Sequence, residues 1–198
     1  MRSKRIAMVL VLCVLSAGFV FSDSSDTSAG FGIVWNYINS NSFVPETSIE
    51  ILDESENAYE TVEENGLDRV QDDIGLSITD DEQFAFIVKY TSNVSGRHTI
   101  SYMVSPLYNQ AADLYSGYTL RYALNSANPA INESGTLYVG NNGNLTYPVN
   151  SSDFNTSFVL PTLNRPVSLY IQFFVTLASD NLPAGENKST IVIIEEAV

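Results

Sequence analysis

Nucleophilic catalysis pairs a hydroxyl or thiol with a base. This sequence supplies one histidine, His98, and one cysteine, Cys13, in 198 residues. His98 stands in Ser95-Gly96-Arg97-His98-Thr99, a turn running into an expected strand, and no Gly-x-Ser-x-Gly elbow accompanies it. The residue therefore reads as a structural or surface histidine. Zinc lacks its commonest ligands for the same reason. Paired carboxylates hydrolyse glycosides, and 23 acidic side chains are present. Such pairs work in a cleft with aromatic platforms, however, and the single tryptophan, Trp35, lies in an apolar segment that reads as core. No residue is assigned a catalytic role, and no cofactor is expected.

Binding chemistry has more to work with. Calcium is the ligand that the acidic residues fit best, with Asp72, Asp73, Asp80, Asp81 and Glu82 as candidates. Asp72-Asp73 and Asp80-Asp81-Glu82 bracket an expected strand, which puts them at opposite ends of it and argues against a shared ion. Calcium takes about six to eight converging oxygens, and no EF-hand spacing supplies them. Tyr102, Tyr108, Tyr115, Tyr118 and Tyr122 offer a binding face, although strand alternation assigns roughly half of them to the core. Asn-x-Ser/Thr triplets begin at Asn93, Asn132, Asn144, Asn150, Asn155 and Asn187. In a eukaryotic secreted protein several would carry glycans, whereas in an Asn- and Ser-rich bacterial chain such triplets arise by chance, the reading favoured here.

The elements that must position these groups read as strands, short, β-branched and aromatic, and separated by Gly, Asn, Pro and Asp. They are expected at Gly32–Ile38, Ser48–Leu52, Ile74–Ile78, Phe84–Tyr90, Thr99–Val104, Tyr118–Leu124, Gly135–Val139, Leu145–Val149, Ser157–Leu160, Val167–Leu177 and Thr190–Glu195. Tyr118, Leu120, Tyr122 and Leu124 share one face, as do the odd-numbered residues from Val167 to Phe173. Period two with one polar face indicates antiparallel sheets covering a core. Asn141-Asn142-Gly143 reads as a hairpin turn. The segment 53–73 holds nine acidic residues against Arg69 alone and reads as a solvated, mobile acidic loop with at most a turn or two of helix. Ile191 to Ile194 is too apolar for a free tail and is expected to close the sandwich.

Residues 1–22 read as a secretory signal. Arg2, Lys4 and Arg5 precede the apolar run from Ile6 to Leu15, and Ser16, Ala17 and Gly18 follow. Cleavage is expected after Gly18 or after Ser22, the second being preferred because Asp23-Ser24-Ser25-Asp26 comes next. Cys13 would need a small residue before it to be lipidated, and Leu12 stands there. The mature chain, 23–198, is then one cysteine-free domain, and export without cysteine points to a bacterial periplasm, cell surface or exterior. Three of the nine basic residues lie in the signal, which leaves 6 basic against 23 acidic side chains, a net −17. That charge repels phosphate backbones and anionic lipid and argues against nucleic-acid partners. No second apolar run reaches membrane length, so insertion after signal removal is not expected.

Two stretches carry a family likeness. Tyr118-Thr119-Leu120-Arg121-Tyr122-Ala123-Leu124 resembles the mid-domain strand of the spore-coat protein U and pilin-type subunits. Leu182-Pro183-Ala184-Gly185 followed by Ser189-Thr190-Ile191-Val192-Ile193 resembles their closing turn and final strand. Those families often carry a disulfide, which this mature chain cannot form internally. The resemblance implies an immunoglobulin-like β-sandwich that accepts a neighbour's strand and meets other subunits or an export chaperone. The expected function is a non-catalytic structural or adhesive subunit of an extracellular assembly. The alternatives are a monomeric glycan- or calcium-binding sandwich and, third, a glycoside hydrolase.

Overall fold

Alternation of apolar and polar side chains decides which face of each strand turns inward, and here it builds two facing sheets. The computed structural model describes residues 27–38, 47–64, 66–93, 95–125, 133–140, 149–160, 167–177 and 182–197. None of these residues is helical. The strands are β1 (Ser28–Ile38), β2 (Thr47–Leu52), β3 (Thr61–Glu64), β4 (Leu67–Val70), β5 (Ile74–Leu76), β6 (Gln83–Ser92) and β7 (Gly96–Val104). After them come β8 (Leu107–Asn109), β9 (Leu114–Ser116), β10 (Tyr118–Asn125), β11 (Glu133–Val139), β12 (Val149–Leu160), β13 (Val167–Thr176) and β14 (Glu186–Ala197). One sheet runs β12-β7-β14-β1-β4-β3, with β5 on β1 and the β8–β9 hairpin on β14. The other runs β11-β10-β13-β6-β2.

The inward faces are those that alternation marks. In β10, Tyr118, Leu120, Tyr122 and Leu124 are buried, and in β13, Leu169, Ile171, Phe173 and Val175 are buried. Aromatic contacts join the sheets. Tyr102 of β7 meets Phe173 of β13 edge-on at 5.1 Å, and Phe31 of β1 meets Tyr118 of β10 at 5.3 Å. Trp35 lies in this core. β14 is the centre of its sheet rather than an edge. It pairs antiparallel with β7 and parallel with β1 from Ser28–Glu186 to Ile38–Glu196. Both faces of β14 are buried at this point: Ile191 and Ile193 are fully buried on one, and the register partners Val192 and Val34 are buried on the other.

The acidic segment is more ordered in its pairing than its charge suggests. β3 and β4 form an antiparallel hairpin, and β4 joins β1 through Val34–Arg69 and Trp35–Asp68. Leu67 and Val70 turn inward while Glu63, Glu64 and Asp68 face water, so alternation survives within the run of charge. Gly66, at a φ of 78°, provides the left-handed turn that an L side chain resists. Upstream, the Asp53 carboxylate accepts from the Ser55 and Asn57 amides, each at 2.8 Å. The helical turns and the loop reading are corrected to this hairpin and capped turn. The expected Asn141-Asn142-Gly143 turn and residues 145–148 of the strand beside it lie outside the described residues, as does the signal.

Candidate functional site: an aromatic hairpin at one end of the sandwich

The start of β14 organises one end of the molecule. Asn187 is fully buried, and its Nδ2 lies 3.0, 3.1 and 3.0 Å from the carbonyl oxygens of Ser28, Pro183 and Gly185. Two hydrogens thus serve three acceptors. Its register partner, Asn109 of β8, is also fully buried. Asn109 donates to the Ala184 carbonyl at 3.1 Å and to Asn187 Oδ1 at 3.3 Å, and it accepts from the Ala112 amide at 2.9 Å. Ser189 donates to the Ser105 carbonyl at 2.7 Å and lies 2.9 Å from the Tyr118 hydroxyl. These buried bonds tie the Leu182–Gly185 turn, the start of β1 and the β8–β9 hairpin into one rigid base, because a buried polar group left unpaired is costly.

On that base the hairpin displays aromatic surface. Tyr108 and Tyr115 are cross-strand partners whose rings lie 4.8 Å apart at 34°. The Tyr108 hydroxyl donates to Asp113 Oδ1 at 3.0 Å, and that bond pushes the phenol's pKa above its ordinary value. Leu114 and Tyr115 are 54% and 45% exposed, and Tyr138 of β11 is 66% exposed; they are the large hydrophobic side chains most open to water among the described residues. Tyr138 folds over Gly117, where an added Cβ would meet its hydroxyl at 2.5 Å and the Val139 carbonyl at 2.9 Å. Gly117 links β9 of one sheet to β10 of the other, so Tyr115 and Tyr138 flank a single crossover. This end can offer flat apolar faces beside a carboxylate.

The residues singled out from sequence distribute otherwise. Tyr102, Tyr118 and Tyr122 are core, whereas Tyr108 and Tyr115 reach the surface. His98 lies within β7, opposite Phe158 of β12 and Ala197 of β14. Asp73 pairs with Lys188 at 2.6 Å, and Glu186 approaches the same ammonium at 3.1 Å. Burial works against the charge of Lys188, yet its hydrogen bonds to the two carboxylates prevail and raise its pKa. Glu82 forms a two-pronged bridge to Arg121 at 2.7 and 2.6 Å, which lowers its pKa, and the guanidinium lies 4.0 Å over the Phe174 ring. Asp72, Asp80 and Asp81 are exposed. Among the described residues, no three His, Cys, Asp or Glu side chains gather as a metal-binding group. Sequence reading missed the Asn109–Asn187 pair; Asn187 carried a signal only as a glycosylation triplet, a role its burial in this fold opposes. No protein-family model matches this chain, and no curated protein matches it.

Proposed function

We propose that this chain is an exported, non-catalytic adhesive or structural subunit of a cell-surface or extracellular assembly, built on an immunoglobulin-like sandwich. The observation that carries the reading is the exposed Leu114 and Tyr115 of the β8–β9 hairpin, held on the buried Asn109–Asn187 base, with Tyr138 exposed at the following crossover. Scattered exposed apolar side chains are ordinary, but adjacent ones on a rigid support mark a contact surface. The acidic balance, 23 acidic against 9 basic residues, supports life on the outside and solubility between contacts. Adhesion is favoured over polymerisation by strand exchange because both edges of β14 are already paired, one by β7 and the other by the chain's own β1. Other subunits or an export chaperone remain the proposed protein partners, and calcium is no part of the reading.

The test is fractionation of cells making the full chain, with intact-mass analysis of the recovered protein. The expected result is a surface or secreted product lacking residues 1–22 and Cys13. A product that stays in the cytosol with Cys13 intact contradicts the reading.

A further inference from the structure

We propose that the Tyr108–Tyr115 ring pair, with Tyr138 beside it, is a platform for a neutral saccharide chain. This rests on the adhesive reading and names its ligand. Pyranose rings present a face of C–H groups that packs on a flat aromatic surface, while their hydroxyls donate to nearby acceptors. Both features are present here. Tyr115 is 45% exposed and braced by Tyr108 at 4.8 Å, and Asp113, which accepts the Tyr108 hydroxyl, supplies a carboxylate at the same turn. Tyr138 covers Gly117, two residues along the chain from Tyr115, and adds an exposed ring at the crossover between the sheets.

Charge selects among saccharides. The chain carries a formal −14, and the cations that the strand register brings near the rings, Lys188 opposite Tyr108 and Arg121 two residues from Thr119, the partner of Tyr138, are held by Asp73 and Glu186 and by Glu82, so an anionic polysaccharide meets repulsion. A basic peptide would suit the charge, but β9 is three residues long, too short an edge for an added strand. The neutral sugar is what the ring pair, the acceptor and the charge jointly favour.

Affinity electrophoresis of residues 23–198 through gels containing a β-glucan, a galactomannan, an arabinoxylan or starch tests this, with alginate as the anionic control. The expected result is retardation by at least one neutral polymer and none by alginate. Tyr115→Ala should weaken that retardation about tenfold, as loss of a central aromatic anchor does. Tyr115→Phe should keep it, and thermal melts of both variants should match the parent. No retardation by any neutral polymer overturns the proposal, as does retardation that Tyr115→Ala and Tyr138→Ala both leave unchanged. Binding to alginate or to a lysine-rich peptide in place of the neutral polymers also overturns it. Surface location with none of this binding would remove the saccharide and leave the adhesive reading standing; a cytosolic product would remove both.

Discussion

At the scale of single residues, buried amides and surface ion pairs do different work. Asn187 serves three carbonyls from a fully buried position, so Asn187→Ala strands acceptors that water cannot reach. The expected loss is roughly 1–3 kcal/mol, read as a lower urea midpoint with an unchanged slope. An unchanged midpoint would show that the base does not depend on this amide. Glu82 belongs to the other class. Its hydrogen bonds from Arg121 depress its pKa below the ordinary 4.5. A depressed carboxyl adds stability that is present above 4.5 and lost as pH falls through the lowered folded value. Glu82→Gln should therefore destabilise the protein at neutral pH and cost nothing once the parent's Glu82 is itself protonated. Denaturation of both proteins across that acid range checks it, and a penalty that persists in acid contradicts it. The effect is small because the Glu82 side chain is 45% exposed.

At the scale of elements, β10, β13 and the core part of β14 were legible because each shows several clean alternations or one β-branched run. β8 and β9 were not, since three residues apiece carry no period, and their pairing is set by Asn109 finding Asn187 across a distance of 78 residues. β3 and β4 were hidden by charge: the segment's composition suggested solvation, while Leu67 and Val70 kept the inward register. The aromatic end was legible in part: Tyr108 and Tyr115 stood among the tyrosines read as a binding face, but alternation separates buried from exposed tyrosines only where the strand is long enough to show it. β14 also carries a prediction. Removing Thr190–Val198 takes away Ile191 and Ile193, strips β7 of its β14 partner and leaves β1 without its parallel partner from Gly32 to Ile38. Losing one buried isoleucine alone costs about 2–5 kcal/mol, so the truncated chain should unfold or aggregate. A soluble monomer with the parent's melting temperature would contradict the central position of this strand.

At the scale of the whole molecule, the parallel pairing of β1 with β14 places the start of the described chain beside the aromatic hairpin. Ser28 donates its amide to Gly185 at 3.0 Å, and its carbonyl accepts from Asn187. One end of the sandwich therefore gathers the chain's entry, the buried amide base and the exposed rings, while the acidic β3–β4 hairpin pairs with β1 further along, at Val34 and Trp35. On the proposed reading, the exposed rings of this end make the contact, while the core and the buried amide base beneath them sustain the fold. The most direct measurement is surface retention of a variant that strips this end without touching the core. Cells producing the full chain with Leu114→Ser, Tyr115→Ala and Tyr138→Ala should release it into the medium, while the parent stays bound to the surface and the two purified proteins melt together. Equal retention of variant and parent would contradict the account.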